Sequence, residues 1–216
     1  MPDAPAATVR AVLFDMDGTL IDSTPAVARS WRRWAERYGV GDVFGTHDHG
    51  RPARQIVADH VPADQVESAF AVIERLEVED TDGIVVLPGA RRLLDDLPRD
   101  RWAVATSCTK PLADARIRAT GLHPPVLVTA SDTERGKPSP DPYLLAARLL
   151  GVEPSDCLVV EDAPTGLLAG RAAGCVTLGV AGTVPRDELV ADLVADSLEG
   201  VRIVPHGDRL AVFVSA

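Results

Sequence analysis

The stretch AVLFDMDGTLID, residues 11–22, joins an apolar run directly to two aspartates two positions apart, Asp15 and Asp17. An apolar run without clean alternation of polar and apolar residues is typical of a strand buried on both faces of a sheet. Gly18 follows the second aspartate and allows the backbone to turn tightly. The pattern therefore predicts a rigid buried strand whose carboxyl end presents two carboxylates.

Further apolar runs follow along the chain, and helical patterns separate them. With the first run, the strand candidates are 9–14, 102–106, 126–130, 157–161 and 175–180. The helix candidates are 24–38, 62–78, 89–97, 110–120, 142–150 and 164–173. Residues 201–215 are predicted to form two more strands around an HGD turn. Buried strands that alternate with helices indicate a parallel sheet, so the predicted fold class is α/β.

The first and second strand candidates are separated by far more chain than an ordinary crossover needs. Most of residues 15–101 has a helical pattern. A long connection of this kind predicts an inserted helical subdomain that begins after Ile21 and returns near the LPGA segment, residues 87–90.

Composition excludes several classes of partner. The 216 residues carry a net charge of −10, which repels nucleic acid and anionic membranes. No window approaches the ~20 apolar residues of a membrane span. The three cysteines are an odd number without C-x-x-C spacing, which fits a reducing compartment better than a disulfide framework. We therefore expect a soluble cytoplasmic protein that binds neither nucleic acid nor membranes.

Polar side chains follow four of the predicted strands. They are Asp15, Thr106, Ser107, Lys137, Glu161 and Asp162. An acidic pair after a strand is most often an exposed turn or a helix cap. Parallel strands, however, bring their carboxyl ends to one edge of the sheet, where ligands bind. Carboxylates crowded at that edge would raise one another's pKa unless a cation neutralised them, and hard oxygen ligands indicate Mg²⁺.

A phosphoryl group is the ligand that suits such an edge. Mg²⁺ on one side and Lys137 with Thr106 on the other would hold its charge. Asp15 could then attack phosphorus as a covalent nucleophile, and Asp17 could give a proton to the leaving alcohol and take one from water. Gly18 would expose backbone amides to the phosphate.

Four ordered motifs resemble one family. DMDGTL (15–20), ATS (105–107), GKPSPDPY (136–143) and VVEDAPTGLLAGRAAG (159–174) resemble the haloacid dehalogenase superfamily, in its phosphatase branch with a small helical cap. The resemblance covers nearly the whole chain. It implies a Rossmann-like core of residues 1–21 and 88–216 and an inserted cap of residues 22–87.

The resemblance also implies roles for the motif residues. Asp15 corresponds to the phosphorylated nucleophile and Asp17 to the acid and base, while Thr106 and Lys137 correspond to groups that hold the phosphate. The implied Mg²⁺ ligands are Asp15, Asp17 through its backbone carbonyl, Asp162, and Glu161 directly or through water. The second aspartate favours phosphate transfer, since members that displace halide from carbon lack it.

Substrate choice is expected to reside in the cap, whose segments are similar to those of phosphatases of sugar and polyol phosphates, such as 2-deoxyglucose-6-phosphate and glycerol-3-phosphate. His49, Gly50 and Arg51 are predicted to face the substrate, with Gly18, Thr106, Ser107 and Lys137 on the core side. A solvated loop and a surface salt bridge explain His49 and Arg51 equally well. Trp31 and Trp34 are expected to be cap core, because they lie three apart on a helix.

Three functions remain open from the sequence. The first is a Mg²⁺-dependent phosphatase of small phosphorylated metabolites, working as a monomer or weak homo-oligomer. The second is a phosphomutase resembling β-phosphoglucomutase, whose cap would exclude water. The third is a receiver-type signalling module, which the long insertion and the second aspartate disfavour.

Overall fold

The computed structural model describes residues 4–41, 43 and 52–215. The strands within them are β1 (Ala7–Val9), β2 (Ala11–Phe14), β3 (Ile21–Asp22), β4 (Val85–Val86), β5 (Trp102–Ala105), β6 (Leu127–Val128), β7 (Cys157–Glu161), β8 (Val176–Val180), β9 (Leu193–Ala195), β10 (Val201–His206) and β11 (Arg209–Val214). The α-helices are α1 (Thr24–Tyr38), α2 (Ala53–Ala58), α3 (Val66–Glu79), α4 (Ala90–Asp96), α5 (Lys110–Thr120), α6 (Asp141–Leu150) and α7 (Pro164–Ala172). This succession confirms the predicted α/β class.

One parallel sheet organises the core. In the described part of the chain it contains six strands in the order β6, β5, β2, β7, β8, β9, and each neighbouring pair is parallel. Strand β2 lies between β5 and β7. Because the three strands run in the same direction, the residues that follow them meet at one edge of the sheet.

Strand β2 is buried on both faces, as its continuous apolar run predicts. Val12 and Phe14 belong to the apolar cluster that includes residues of α4 and α5. Ala11 and Leu13 belong to a second cluster, which includes residues of α6 and α7. All four side chains are fully buried. Burial of each large apolar side chain contributes about 1.5–3 kcal/mol, so the strand is firmly anchored.

The helices α1, α2 and α3, which we call the inserted helices, have an apolar cluster of their own. Its fully or nearly buried members include Trp31, Trp34, Ile56 and Ile73. The rings of Trp31 and Trp34 lie 5.6 Å apart between centroids, and Trp34 Nε1 donates a hydrogen bond to the carbonyl of Ala69. Both tryptophans therefore pack in this cluster, as expected.

A short strand pair connects the inserted helices to the core. Strand β3 pairs antiparallel with β4, so that Ile21 lies opposite Val86 and Asp22 lies opposite Val85. The chain thus leaves the core and returns to it side by side. Strands β3 and β4 border the segment that contains α1, α2 and α3.

The sequence-based strand assignments differ from the structure in several places, and the two-residue strands β3 and β4 were not predicted. The run 9–14 forms two strands, because β1 pairs with β11 in a separate sheet of order β1, β11, β10. Strand β9 was not predicted, since its three residues are too few to show a pattern. The run 126–130 is strand only at Leu127–Val128.

The helix predictions hold with smaller differences. The candidate 62–78 begins with a 3₁₀ turn, Ala63–Gln65, before α3, and α2 was not predicted. Helix α6 has Pro142 in its first turn and ends at Gly151, whose φ of 67° is the left-handed conformation that glycine adopts without strain. Among the described residues, no helix combines the length and apolarity needed to cross a bilayer.

Candidate active site

Three carboxylates meet at the edge of the sheet where β2 and β7 end. Asp15 follows β2, Glu161 is the last residue of β7, and Asp162 follows it. Each side chain offers one oxygen that lies within 4.8 Å of the other two. All three residues are buried, so water screens their mutual repulsion only weakly.

Local contacts fix the orientation of Asp162. Thr19 Oγ1 donates to Asp162 Oδ1 at 2.9 Å, and the Thr183 hydroxyl donates to Oδ2. Gly18 has a φ of 86°, and a Cβ atom added there would lie 2.1 Å from Asp162 Oδ2. The glycine that the sequence places after the two aspartates is thus required both by the backbone turn and by the close approach of Asp162.

Lys137 is a buried cation between two of the carboxylates. Its Nζ atom lies 2.5 Å from Asp15 Oδ1 and 2.6 Å from Glu161 Oε1. The hydroxyl of Tyr143 donates to the same Glu161 oxygen at 2.7 Å. Burial lowers the pKa of Lys137, but the charges of Asp15 and Glu161 outweigh it and hold that pKa above its ordinary value. Lys137 is therefore charged throughout the physiological range.

Three ionised carboxylates would carry more negative charge than the one ammonium of Lys137 balances. Burial raises the pKa of Asp15 well above its ordinary value; Lys137 opposes this effect, and the charges of Glu161 and Asp162 add to it. Burial, reinforced by Glu161, raises the pKa of Asp162 to about 7. A divalent cation among these oxygens would remove the repulsion, and an all-oxygen donor set suits a hard metal ion. The described residues therefore fit a divalent metal.

Hydroxyl groups from β5 reach the same edge. Thr106 follows β5, is 2% exposed and accepts a hydrogen bond from the Cys108 amide at Oγ1, 3.1 Å away, so its own proton remains free to donate. Ser107 Oγ is buried and has no hydrogen-bond partner among the described residues. Both side chains can donate to an anion at this edge.

The side chain of Asp17 is held at both oxygens. Ser23 Oγ donates to Oδ1 at 2.7 Å. Arg116 Nη1 lies 2.7 Å from Oδ2, and Cys108 Sγ lies 3.1 Å from the same oxygen. Burial raises the pKa of the Cys108 thiol well above its ordinary value, although Arg116 opposes the shift. Cys108 is therefore a neutral donor rather than a nucleophile.

Arg116 also reaches the inserted helices. Its Nη2 atom lies 3.3 Å from Glu77 Oε1 on α3. Burial raises the pKa of Glu77 to about 7, although the charge of Arg116 lowers it. Arg116 belongs to α5 of the core, so this contact joins the core to the inserted helices through a buried ion pair.

A cavity of about 530 Å³ lies against these groups. The core contributes Asp15, Thr106 and Lys137 to its lining. The inserted helices contribute aromatic and polar side chains, Trp31, Gln55, Phe70 and Glu74. The volume lies within the range of small-molecule sites, which is about 300–1,000 Å³. The cavity is thus large enough for a small ligand that touches both parts of the chain.

The structure describes all of the core residues that the sequence predicts for the site, but none of the predicted cap residues. The structure brings the core residues to one edge of the sheet; they are Asp15, Asp17, Gly18, Thr106, Ser107, Lys137, Glu161 and Asp162. The predicted substrate residues His49, Gly50 and Arg51 lie outside the described residues.

Sequence reasoning missed several residues that contact the site. Tyr143 lies within the quoted GKPSPDPY motif, and Thr19 lies within DMDGTL, so both were within reach of a closer reading of those motifs. Arg116 and Glu77 are 39 positions apart and carry no local signal. Only the packing of α3 against α5 brings them together.

Comparisons with known proteins identify the family. A family model for haloacid dehalogenase-like hydrolases matches residues 9–174. Hexitol phosphatase A of Escherichia coli is 44% identical over 210 residues, which are 92% of this chain and 97% of that protein. Glycerol-1-phosphate phosphohydrolase 2 of Saccharomyces cerevisiae is 35% identical, over 90% of this chain and 85% of its own.

A solved structure has a similar fold. CbbY from Rhodobacter sphaeroides, crystallised in complex with phosphate, superposes with a TM-score of 0.71 at 27% identity. The superposition covers 88% of this chain and 95% of CbbY. The family model and both relatives cover most of this chain, which therefore belongs to the haloacid dehalogenase-like hydrolase family.

Proposed function

We propose that this protein is a Mg²⁺-dependent phosphatase that hydrolyses small phosphorylated metabolites, sugar or polyol phosphates, through an aspartyl-phosphate intermediate. The observation that carries the proposal is the meeting of Asp15, Glu161 and Asp162 with Lys137 beside a cavity of about 530 Å³. The names of the relatives, a hexitol phosphatase and a glycerol-1-phosphate phosphohydrolase, support the substrate class.

The residues divide the reaction into two steps. Asp15 attacks phosphorus, the bond from phosphorus to the substrate oxygen breaks, and an acyl phosphate forms on Asp15. Asp17 gives a proton to the leaving alkoxide. Water then attacks phosphorus, Asp17 takes a proton from that water, and the bond to Asp15 breaks to release inorganic phosphate. Lys137 and Thr106 donate hydrogen bonds to phosphoryl oxygens in both steps.

The proposed metal ligands are Asp15, Glu161 and Asp162, with the backbone carbonyl of Asp17. When bound, Mg²⁺ neutralises these carboxylates and stabilises the charge on the phosphoryl oxygens. The contacts that Thr19 and Thr183 make to Asp162 support its role, because they fix the orientation of a carboxylate that must be preorganised.

Residues 22–87 are proposed to form a cap that selects the substrate, above a core of residues 1–21 and 88–216. Support comes from the cavity lining, in which Gln55 and Glu74 can bind hydroxyl groups and Trp31 and Phe70 can pack against carbon. We also propose that His49, Gly50 and Arg51 face the substrate, with Gly18 and Ser107 binding phosphate. The free cysteines support action in the reducing cytoplasm, and we propose a monomer or weak homo-oligomer.

The test is phosphate release from a panel of sugar, polyol and nucleotide monophosphates, with Mg²⁺ and with EDTA. We expect release from sugar or polyol phosphates that EDTA abolishes and that Asp15→Asn lacks. Asp95→Asn, an exposed change on α4, is the matched control and should keep full activity. Failure of the folded wild-type protein to release phosphate from any substrate would overturn the proposal. Isomerisation of a hexose phosphate without release would point instead to the mutase.

A further inference from the structure

Arg116 is a buried charge that the proposed reaction does not use. It is 5% exposed, although α5 otherwise places its basic side chains in solvent, as Lys110 and Arg118 illustrate. Burying a guanidinium costs several kcal/mol unless it is paired and hydrogen-bonded. The contacts of Arg116 with two carboxylates offset this cost, and they indicate its role.

The two terminal nitrogens of Arg116 contact different parts of the protein. Nη1 lies 2.7 Å from Oδ2 of Asp17, in the core loop after β2. Nη2 lies 3.3 Å from Oε1 of Glu77, on α3 of the inserted helices. The guanidinium is planar and rigid, so its two terminal nitrogens move together. A shift of Glu77 that displaces Nη2 therefore also displaces Nη1, which contacts Asp17.

The contact with Asp17 determines which way that carboxylate points. Ser23 holds Oδ1, and Arg116 with Cys108 holds Oδ2, so the rotation of the side chain is fixed from both ends. Arg116 supplies the charged, shortest contact at Oδ2. Cys108 in turn lies 2.8 Å from Arg116 Nη1, so its position depends on the arginine as well.

If Arg116 only held α3 against α5, its ion pair with Glu77 would be enough, and a contact with Asp17 would not be needed. The second carboxylate in contact with the guanidinium is, however, the group proposed to move protons in both steps. Proton transfer requires the donor oxygen within hydrogen-bond reach of the leaving oxygen, and small misplacements are costly. Whatever holds Asp17 therefore affects its efficiency as acid and base.

We propose that Arg116 is a positioning residue that aims the carboxylate of Asp17, and that Glu77 holds Arg116 in place from the inserted helices. The position of α3 and the direction of the Asp17 carboxylate are thereby linked through one side chain. The inference rests on the proposed phosphatase function, since it concerns the role of Asp17 in that reaction.

The leaving group provides a specific test. The alkoxide of a polyol phosphate is a poor leaving group and needs a proton as its bond to phosphorus breaks. The p-nitrophenolate of p-nitrophenyl phosphate leaves without one. kcat/KM reports the steps up to that bond cleavage. A misaimed Asp17 should therefore lower kcat/KM for the polyol phosphate far more than for the aryl phosphate.

The experiment measures kcat/KM for both substrates in wild type, Arg116→Met and Asp17→Asn. For Arg116→Met we expect a loss of about 10- to 100-fold with glycerol phosphate or a hexitol phosphate, below the full contribution of a general acid. The loss with p-nitrophenyl phosphate should be far smaller, because its leaving group needs no proton. Arg118→Met, an exposed change on the same helix, should leave both values unchanged.

Two further variants separate positioning from folding. Arg116→Lys keeps the charge but lacks the rigid fork of two terminal nitrogens, so it should recover part of the selective loss. Glu77→Gln keeps the side-chain shape and should show a smaller loss of the same selectivity. Adding Glu77→Gln to Arg116→Met should change nothing further, because both residues act along one chain of contacts.

Equal losses with the two substrates, accompanied by a lower melting temperature, would overturn the proposal in favour of a structural tie. Unchanged kcat/KM in Arg116→Met would overturn it too. If Arg116→Met does not fold, Glu77→Gln gives the decisive result. An equal loss of kcat/KM with both substrates, or no loss, would refute the proposed positioning of Asp17 through Arg116. A wild-type protein inactive on both substrates would instead refute the phosphatase function itself, so the two failures are distinguishable.

Discussion

Replacement of Gly18 by alanine tests whether the turn after β2 and the position of Asp162 are one unit. Gly18 has a φ of 86°, where a side chain costs about 1–2 kcal/mol. The new Cβ would also lie 2.1 Å from Asp162 Oδ2, whereas real Cβ contacts essentially never fall below 3.0 Å. The two atoms must therefore separate by about 0.9 Å, and Asp162 or the loop must move.

We expect this displacement to reduce activity far more than stability. A misplacement of about 1 Å near the reacting atoms costs roughly 100-fold in rate. Gly18→Ala should thus lose about 100-fold in kcat/KM, while its unfolding free energy falls by only a few kcal/mol. Phosphate release at saturating Mg²⁺ measures the first quantity, and urea unfolding measures the second.

Gly174→Ala is the matched control for the backbone alone. Gly174 has a φ of 82°, but no atom lies within 4 Å of a Cβ built there. It should lose the same 1–2 kcal/mol as Gly18→Ala from backbone strain and retain full activity. The reasoning is refuted if Gly18→Ala keeps wild-type kcat/KM, or if Gly174→Ala loses as much activity as Gly18→Ala.

Two more expectations concern buried charges. Lys137→Met leaves Asp15 and Glu161 without the ammonium that pairs with them. We therefore expect the unfolding free energy, measured with urea in the absence of metal, to fall by about 3–5 kcal/mol, and phosphate release to be lost. An unchanged unfolding midpoint would contradict this. Glu77 has a pKa raised by burial from 4.5 to about 7, although Arg116 opposes the shift, so the folded protein binds its proton more tightly than the unfolded chain. Stability that depends on Glu77 is therefore greatest below pH 4.5 and falls by up to about 3 kcal/mol as the pH rises to about 7. Unfolding free energies of wild type and Glu77→Gln, compared across that window, should diverge in favour of the variant, and a constant difference would argue against the assignment.

The core of the fold could be predicted from the sequence because its signals are local. Strand β2 is a continuous apolar run, and such runs identify strands buried on both faces. Asp15 and Glu161 were found because each terminates a predicted strand, and parallel topology alone then places them together. Strand β9 was missed because three residues cannot establish a period, and its place is set by pairing with β8.

The remaining contacts of the site could not be predicted because they depend on tertiary packing. Arg116 lies on a helix whose pattern predicts only which face is apolar. Its contact with Asp17 spans 99 positions, and its contact with Glu77 requires α3 and α5 to be adjacent. A sequence pattern indicates which face of a helix is buried, but it does not name the partner of a charge on that face.

The strand pair β3 and β4 brings the two ends of the segment that holds α1, α2 and α3 together. Ile21 lies opposite Val86 and Asp22 opposite Val85, so the segment between them enters and leaves the core at adjacent positions. Any helical segment whose two ends lie one strand spacing apart, about 4.8 Å, can be joined there without stretching the core. Because Asp15 and Asp17 precede this junction in the chain, such a graft leaves the strand that carries them unchanged, and a replacement helix must supply its own partner for Arg116.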